Sequence, residues 1–398
     1  MTASEWLMMT VGDVARVKGG KRLPAGYFVQ TEPTPYPYIR VTDMRDGGID
    51  DSDIKYVPVA AAPPIRAYRI RSNDIFISVA GTLGVVGRVP DWLDGANLTE
   101  NADRITDIKC DVDYLAQYLR SAPIQNEIDS IRTVGAQPKL ALGRIKTFEL
   151  LIPEDRSEQS RVAQALGDAD RLIDSLRRLI AKKVAIKQGM MQELLTGTTR
   201  LPGFTGAWRS ALFAEVANPV RERAVPQSVS GRVVELEHIE GGTGALIGDA
   251  DVSESISMKT VFAPGDVLFG KLRAYLRKFW LADRSGYCST EIWALRARPG
   301  IARGEFVRYI VESDSFIEAA STAYGTHMPR SDWSVVSKFE VALPPLDEQA
   351  AIAEVLANAD AEITTLKRRL ESAKAIKQGM MQELLTGRTR LVAEGVAA

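Results

Sequence analysis

The chain contains the same thirteen letters twice, AIKQGMMQELLTG at residues 185–197 and AIKQGMMQELLTG at residues 375–387. A run of identities this long, 190 residues apart, is not a chance event and marks an internal repeat. The likeness continues upstream, where SEQSRVAQALGDAD at 157–170 aligns with DEQAAIAEVLANAD at 347–360. The chain is therefore a tandem duplication.

A fainter copy of the repeat covers the rest of the chain. Trp6 opens WLMMTVGDVARV and Trp208 opens WRSALFAEVANPV, while GAQPKLALGRIKTFELLIP at 135–153 resembles GTHMPRSDWSVVSKFEVALP at 325–344. Each repeat thus joins a globular domain to a helical segment. We divide the chain into a first globular domain at 1–152, a first helix at 153–200, a second globular domain at 201–343, a second helix at 344–391 and a tail at 392–398.

Both helical segments carry the periodicity of a coiled coil. Apolar or small residues recur at alternating steps of four and three, which is typical of a heptad seam. These seam residues are Val162, Leu166, Ala169, Ile173, Leu176 and Ile180 in the first segment, and Ile352, Leu356, Ala359, Ile363, Leu366, Leu370 and Ala373 in the second. About 40 residues at ~1.5 Å each give a rod of roughly 60 Å. Matching seams predict that the two rods pack together as an antiparallel pair.

The globular domains have the pattern of mixed α and β structure. Short runs of β-branched and aromatic residues alternate with turn-forming glycine and proline pairs. Each domain also has a helical stretch, near 112–130 and near 303–320. We predict an α+β fold: two mixed α/β domains separated by two long helices packed as an antiparallel coiled coil, with an internal pseudo-twofold repeat.

The composition is that of a soluble globular protein, with 45% hydrophobic and 25% charged residues. Cys110 and Cys288 lie in no metal-ligand spacing, which argues against a zinc ribbon or a disulfide framework. We expect no signal peptide, because no basic region precedes an apolar core near Met1, and no membrane span, because no apolar run approaches ~18 residues. The expected location is the cytoplasm.

The net charge of −1 is low for a protein that binds nucleic acid, because affinity for DNA comes largely from neutralised phosphates. Binding to DNA would require cations that are segregated into patches. It would also require a partner subunit that supplies much of the phosphate contact.

The two helical segments are nearly identical at one end, whereas the two globular domains have diverged. Identical surfaces suit two copies of one partner, and divergent domains suit two different targets. Recent duplication with packing constraints is an alternative, but it explains identity at seam positions only. Gly189 and Gly379 lie mid-helix despite a cost of about 1 kcal/mol, which indicates close approach by another backbone. We predict partner contacts at the matched polar residues Lys187, Gln188, Gln192, Glu193, Lys377, Gln378, Gln382 and Glu383.

Two variable domains, each followed by a long helix ending in QELLTG, make the chain similar to the specificity subunit of Type I restriction-modification systems. The resemblance covers essentially the whole chain and rests also on LIPEDRSEQ at 151–159 and LPPLDEQ at 343–349. It implies a non-catalytic chain whose two target recognition domains each contact half of a bipartite DNA site. Its helices would act as a spacer and dock two methyltransferase subunits, which restriction subunits can join. S-adenosylmethionine, ATP and magnesium would be bound by those partners, and no cofactor by this chain.

Basic clusters with neighbouring polar and aromatic residues are the candidate DNA contacts. Arg pairs bidentately with guanine and Gln with adenine, while Lys mainly positions the phosphate backbone. His238 and His327 replace Asp43 and Gln137 in the repeat, which disfavours a metal ligand and suits side chains that recognise different bases. The predicted DNA-binding residues are Lys18, Lys21, Arg22, Arg40, Thr42, Gln137, Lys139, His238, Lys271, Arg273, Tyr275, Arg277, Thr326, His327 and Arg330.

Two short motifs resemble catalytic sites. Gly265–Leu272 nearly fits a P-loop, but Leu272 replaces the magnesium-binding hydroxyl and the repeat places the segment over a strand. Asp91, Asp107 and Lys109 imitate a nuclease site but have no counterpart in the second repeat. We therefore predict no catalytic residue and no metal site. Two alternatives stay open: a duplicated coiled-coil adaptor that never touches DNA, and a nuclease or NTPase built on these motifs.

Overall fold

The computed structural model describes residues 5–132, 138–322 and 329–391. The first half of the chain contains β1 (Trp6–Thr10), α1 (Val11–Val14), β2 (Arg16–Gly19), β3 (Pro37–Ile39), β4 (Met44–Arg45), β5 (Gly48–Ile49), β6 (Lys55–Tyr56), β7 (Ile75–Ser78), β8 (Val86–Arg88), β9 (Asn97–Leu98), β10 (Ala102–Thr106), α2 (Val112–Leu119), α3 (Ala122–Arg132), α4 (Leu142–Lys146), β11 (Glu149–Pro153) and α5 (Arg156–Thr196).

The second half repeats this order of helices and strands with local differences. It contains β12 (Arg209–Leu212), α6 (Phe213–Val216), β13 (Ala217–Pro219), β14 (Arg223–Ala224), β15 (Arg232–Val234), β16 (Ala250–Asp251), β17 (Lys259–Phe262), β18 (Val267–Gly270), β19 (Phe279–Leu281), β20 (Gly286–Cys288), β21 (Ile292–Ala297), α7 (Gly304–Glu312), α8 (Asp314–Ser321), α9 (Trp333–Val336), β22 (Glu340–Leu343) and α10 (Leu346–Leu384).

The chain divides into two compact units. The first unit comprises residues 1–177 and 368–398, and the second comprises residues 178–367. One boundary between the units falls inside α5 and the other falls inside α10. Our division of the sequence instead placed boundaries before and after each helix. Each unit therefore combines one globular domain with the first half of the helix that follows it and the last half of the other helix. The tail at 392–398 lies outside the described residues.

Both units are built on the same antiparallel sheet. The strand order is β2-β10-β7-β8 in the first unit and β13-β21-β18-β19 in the second. An antiparallel strand pair accompanies each sheet, β1 with β11 and β12 with β22. Smaller sheets have the order β6-β3-β9 and β4-β5 in the first unit and β14-β17-β20-β15-β16 in the second. The predicted α+β fold and its internal repeat are confirmed.

The central strands have the apolar runs that burial on both faces requires. All four residues of β7 and all four residues of β18 are buried. The segment that resembles a P-loop therefore includes a buried strand, Val267–Gly270, as the repeat predicted.

The long helices belong to the cores of the two units. In the first unit, Leu166 from α5 and Leu384 from α10 share a buried cluster with Tyr114 of α2. In the second unit, Leu194 from α5 and Leu356 from α10 are buried in one cluster. Burying one leucine side chain stabilises the fold by roughly 1.5–3 kcal/mol. This packing explains why the compact units include helix halves.

Within each unit the two helix halves run antiparallel. Glu158, near the start of α5, accepts a hydrogen bond of 2.8 Å from Nε of Arg390, which follows the end of α10. In the second unit Glu348, near the start of α10, accepts one of 3.0 Å from Nε of Arg200, which follows the end of α5. Every predicted seam residue is buried or half-buried. The predicted antiparallel pairing is thus present in both units.

Three further observations concern possible bound groups and membranes. Cys110 and Cys288 are buried free thiols. In the ranges that the structure describes, no three His, Cys, Asp or Glu side chains come together as a metal site. Within the same ranges, none of the helices combines the length and the apolar character that crossing a bilayer demands.

Candidate functional site

The loop between β18 and β19 brings two of the predicted DNA-binding segments together. The backbone N–H of Arg273 donates to the carbonyl of Pro329 at 2.9 Å, and the N–H of Ser331 donates to the carbonyl of Lys271 at 2.8 Å. Arg330 pairs in a bridge with Leu272. Lys271, Arg273 and Arg330 therefore lie close together.

Two arginines in this loop adopt a backbone conformation that favours glycine. Arg273 has φ 54° and ψ 60°, and Arg277 has φ 52° and ψ 46°. The corresponding loop of the first unit, between β7 and β8, has Gly81 and Gly84 with φ of 76° and 78°. A left-handed conformation costs a non-glycine residue about 1–2 kcal/mol. The loop of the second unit therefore stores strain that its counterpart avoids.

The cations of this loop divide into internal and exposed groups. Arg277 donates to the carbonyl of Glu312 at 3.1 Å and also pairs with Asp314. Lys278 donates to two backbone carbonyls of residues 236–239, at 2.6 and 3.0 Å. Arg273 is exposed, and its guanidinium has no hydrogen bond or ion pair within the described residues.

Two neighbours of Arg273 are also accessible. Tyr275 is 55% exposed at the tip of the loop. Arg330 makes a two-pronged hydrogen bond to Glu291, at 3.0 and 3.1 Å, while its side chain stays 57% exposed. Such an exposed ion pair contributes about 0–1 kcal/mol, so a phosphate can replace the carboxylate at little cost. Arg273, Tyr275 and Arg330 therefore form an accessible cationic surface.

The predicted cations near β2 in the first unit form weak surface pairs. Lys18 lies 3.7 Å from the carboxylate of Asp107, and Arg22 lies 3.1 Å from that of Glu100. Lys21 lies over the ring of Tyr68, 5.7 Å from its centroid. These side chains stay at least partly accessible, because exposed ion pairs hold their partners loosely.

Arg40 and Thr42 have internal partners. Arg40 donates from Nε to Asp43 at 3.0 Å and from Nη2 to the carboxylate of Asp53 at 3.2 Å. The hydrogen bond to Asp43 raises the pKa of Arg40 further. Thr42 donates its hydroxyl to Asp43 at 3.4 Å. The guanidinium of Arg40 thus already makes hydrogen bonds within the chain, to Asp43 and Asp53, that stabilise the local turn.

His238 occupies the position of Asp43 in the repeat and serves the same local purpose. Its Nδ1 accepts the backbone N–H of Glu235 at 3.1 Å, as the carboxylate of Asp43 accepts the N–H of Arg40 at 2.8 Å. Both side chains close a three-residue turn. The replacement of Asp by His therefore preserves a turn.

The remaining predicted DNA-binding residues divide between described and undescribed parts of the chain. Lys139 is exposed, and its charge lies close enough to Asp103 to oppose the rise in the pKa of that carboxyl, which burial causes. Gln137, Thr326 and His327 lie outside the described residues.

Sequence reasoning missed an exposed aromatic pair in the first unit. Tyr27 is 42% exposed and Phe28 is 82% exposed, and they follow the cations Lys21 and Arg22 by a few residues. The sequence did contain a signal for them, because two consecutive aromatic residues follow Pro24 in a basic segment rich in turn-forming residues. Aromatic side chains near cations can stack on bases, so this segment belongs among the candidate DNA contacts.

The predicted partner contacts include two lysines that are buried within the chain. Lys187 lies 2.5 Å from Glu312 and 2.5 Å from Asp360. Lys377, its counterpart, lies 2.7 Å from Asp170. Burial lowers the pKa of Lys377, and repulsion by Arg120 acts in the same direction. Lys187 thus attaches α5 to α7 of the globular domain and to α10, whereas Lys377 attaches α10 to α5.

Each lysine belongs to a network of two cations and two carboxylates. In the first unit Arg120 joins Asp170 at 2.7 Å and Asp46 at 2.9 Å. In the second unit Arg308 joins Asp360 at 2.8 Å and Glu312 at 3.0 Å. The helices supply the same Asp and Lys to both networks, while the globular domains supply different pairs.

The opposite face of the thirteen-residue segment is exposed in both copies. Gln188, Gln192 and Glu193 are exposed, and so are their counterparts Gln378, Gln382 and Glu383. Among the described residues, a methyl group placed on Gly189 or Gly379 would meet no neighbouring atom within 4 Å outside its own turn of helix. The described part of the chain thus gives no reason for glycine at these positions.

A groove runs beside each copy of the segment. The groove of the second unit has a volume of about 1300 Å³ and is lined by Gln188, Gln192 and residues of the β12–β22 pair. The groove of the first unit has a volume of about 1410 Å³ and is lined by Gln378, Gln382 and residues of α2 and α3. The same helix face therefore borders a groove of similar size in both units.

Comparison with known proteins points to one family. Residues 3–183 and 254–375 match the family model described as the Type I restriction modification DNA specificity domain. The chain is 30% identical over 423 residues to the Type I restriction enzyme MjaVIII specificity subunit of Methanocaldococcus jannaschii, covering 97% of this chain and 93% of that protein. It is 26% identical over 209 residues to the EcoDI specificity subunit of Escherichia coli. That match covers 52% of this chain and less than half, 45%, of the relative.

The fold is similar to solved structures from the same systems. The S subunit of the Type I restriction-modification system from M. genitalium superposes with a TM-score of 0.58 at 15% identity, covering 97% of each chain. A chain from a study of assembly and conformational transition of the Type I system gives a TM-score of 0.56 at 18% identity, covering 97% of this chain and 98% of that one. Identities this low establish the fold alone. The family model and the M. jannaschii relative extend over most of the sequence, so this chain belongs to the Type I restriction-modification DNA specificity family, whose members specify a target and do not catalyse the reaction.

Proposed function

We propose that the chain directs a Type I complex to a bipartite DNA site, with one unit contacting each half-site and two methyltransferase subunits docked on the helices. The observation that carries this proposal is a contrast between the two units. Their helix faces are identical, at 185–197 and 375–387, whereas corresponding loops carry different side chains. Two copies of one catalyst over two different half-sites require this combination.

Exposed cations support DNA as the target. Lys18, Lys21 and Arg22 in the first unit, and Lys271, Arg273 and Arg330 in the second, are exposed or partly exposed. With a net charge of −1, the chain has no cationic excess to spread over its surface. We therefore expect the docked methyltransferases to supply further phosphate contacts and to strengthen DNA binding.

The exposed glycine face supports docking of a helical partner. Gly189 and Gly379 leave room for another backbone to approach the helix closely. Gln188, Gln192 and Glu193 lie on the same exposed part of the segment and offer side-chain hydrogen bonds. Because both copies are identical, the proposed stoichiometry is two methyltransferases per chain. Restriction subunits would join through them, and S-adenosylmethionine, ATP and magnesium would be bound by the partners.

The long helices suit the role of a spacer. Helix α5 has 41 residues and α10 has 39 residues. At ~1.5 Å per residue each would extend roughly 60 Å. In the proposed complex this length fixes the number of base pairs between the half-sites.

Methylome sequencing of cells with and without this chain tests the proposal. We expect a methylated motif of two short half-sites and a fixed gap, which disappears when the chain is deleted. The purified complex should contain two methyltransferases per chain and should select the same motif from random DNA. An adaptor that never touches DNA would leave the methylome unchanged and would select no motif.

A further inference from the structure

We propose that Arg273 recognises a guanine in the half-site bound by the second unit. This inference rests on the proposed function and assigns one specificity-determining side chain within it. The loop between β18 and β19, residues 271–278, presents that side chain. The corresponding loop of the first unit, at 79–85, has no charged residue.

No side-chain contact among the described residues explains the conformation of Arg273. Arg273 and Arg277 both adopt the left-handed conformation in which the first unit has glycine. Arg277 has an internal reason, because its guanidinium binds Asp314 and the carbonyl of Glu312. Arg273 has no such contact within the described residues. Strained residues of this kind are concentrated at functional sites.

The surroundings of Arg273 suit a nucleic-acid ligand. Arg330 and Lys271 lie at the same end of the sheet, where they can neutralise the phosphates that flank a base. Tyr275 and Leu276 are 55% and 43% exposed in the same loop. A short loop with an exposed guanidinium can enter the major groove, where the two N–H groups of arginine match O6 and N7 of guanine.

The corresponding loop of the first unit has no side chain that could recognise guanine in the same way, as expected if the two units bind different half-sites. Gly81 and Thr82 are exposed there, and neither carries a charge. The hydroxyl of Thr82 can contact several bases but lacks the pair of N–H donors with which arginine selects guanine. Removal of the Arg273 side chain should therefore change one half of the bipartite motif and leave the other half intact.

The test uses the full chain in complex with its methyltransferase partner and a library of random DNA. We compare the unmodified complex with Arg273→Gly, which suits the left-handed backbone, and with Arg273→Lys, which keeps the charge without the fork. Arg298→Gly is the matched control, because Arg298 is an exposed cation just beyond the far end of β21. The first residue of β21, Ile292, pairs with Gly270 beside the loop. The six residues of β21, at roughly 3.3 Å each, therefore place its far end about 20 Å from the loop.

We expect Arg273→Gly and Arg273→Lys each to reduce the preference for guanine at one position by about tenfold or more. The melting temperature should stay unchanged in Arg273→Lys and should not fall in Arg273→Gly, because glycine relieves the strain of the left-handed backbone. Arg298→Gly should leave the motif unchanged. If the Arg273→Lys complex still selected the complete motif, or if the Arg273→Gly complex bound all sequences more weakly to the same extent, Arg273 would contact phosphate and not guanine. Either result would overturn the inference. Failure of the unmodified complex to select any motif would instead refute the proposed function.

Discussion

The Nζ atom of Lys377 lies 2.7 Å from Oδ1 of Asp170 and joins the last half of α10 to the first half of α5. Asp170 also accepts hydrogen bonds from Arg120 at 2.7 Å and from Gln117 at 2.8 Å. One carboxylate thus connects both helix halves to the end of α2. In the second unit Asp360 has the same role towards Lys187 and towards Tyr309 of α7.

Removal of the Asp170 carboxylate should destabilise the first unit. In Asp170→Ala the charges of Arg120 and Lys377 lose their shared partner in a largely buried position. We expect the free energy of unfolding to fall by about 2–3 kcal/mol, the range for charged hydrogen bonds left unmade. Urea denaturation measures this change. Asp168→Ala, at an exposed position two residues away, should cost no more than about 0.5 kcal/mol, and equal costs for both variants would argue against the network.

The contribution of Asp170 should depend on pH. Burial acts to raise its pKa, but the hydrogen bonds and charges of Arg120 and Lys377 outweigh burial and lower the pKa below the ordinary value of 3.8. Because the pKa is lower in the folded state than in the unfolded state, the ionised carboxylate stabilises the fold above the unfolded value. That stabilisation is lost as the pH falls through the folded value.

The stability difference between the unmodified chain and Asp170→Asn should therefore be complete at pH 7 and should shrink below about pH 4. Thermal unfolding at a series of pH values measures this difference. Asp168→Asn should give a small difference at every pH. A gap between the unmodified chain and Asp170→Asn that stays constant down to pH 2 would contradict the assignment of the shift.

The open space at Gly189 predicts opposite effects on the chain and on its complex. Gly189→Leu places a better helix former at an exposed position where no described neighbour crowds the Cβ atom, so the helix should gain up to about 1 kcal/mol. The same side chain should prevent a partner backbone from approaching. We expect the variant to melt at a higher temperature and to bind one methyltransferase where the unmodified chain binds two.

Light scattering of the purified complex measures this stoichiometry. Gly189→Leu combined with Gly379→Leu should bind no methyltransferase. Arg178→Leu adds the same side chain at an exposed position of α5 outside the repeated segment and should keep both copies. Two bound copies with the double variant would exclude the glycine face as the docking surface.

The spacer role predicts a change in the DNA motif. One heptad inserted after Arg177 in α5, together with one after Lys367 in α10, adds about 10 Å, the length of three base pairs. The seams stay in phase because seven residues complete one heptad. The gap between methylated half-sites should grow by about three base pairs with both half-sites unchanged. An unchanged gap would show that the helices do not set the spacing.

Much of the architecture follows from local periodicity and from the internal repeat. The seam from Val162 to Ala373 predicted the buried helix faces, and the repeat predicted that Val267–Gly270 is a strand. The roles of particular polar residues depend on partners that are distant in sequence. Lys377 meets Asp170 across two helices and Arg277 meets Asp314 of α8, so neither contact leaves a local pattern.

The backbone conformation of Arg273 was equally hidden from sequence reasoning. Its counterpart Gly81 is easily recognised as a turn residue, but an arginine in the same position gives no such signal. The common role of His238 and Asp43 could not be predicted from the sequence either, because the two side chains differ chemically. The structure shows that each accepts a hydrogen bond from the backbone N–H three residues earlier and so closes a turn.

The two compact units must be completed in the reverse of their order along the chain. The second unit is one continuous stretch, 178–367, whereas the first needs residues from 368 onward. During synthesis at the ribosome, Leu166 stays without Leu384 until the whole second unit has been made. The amino-terminal domain therefore keeps an uncovered apolar stripe while the whole second unit is synthesised, and this stripe is open to aggregation until residues from 368 onward arrive.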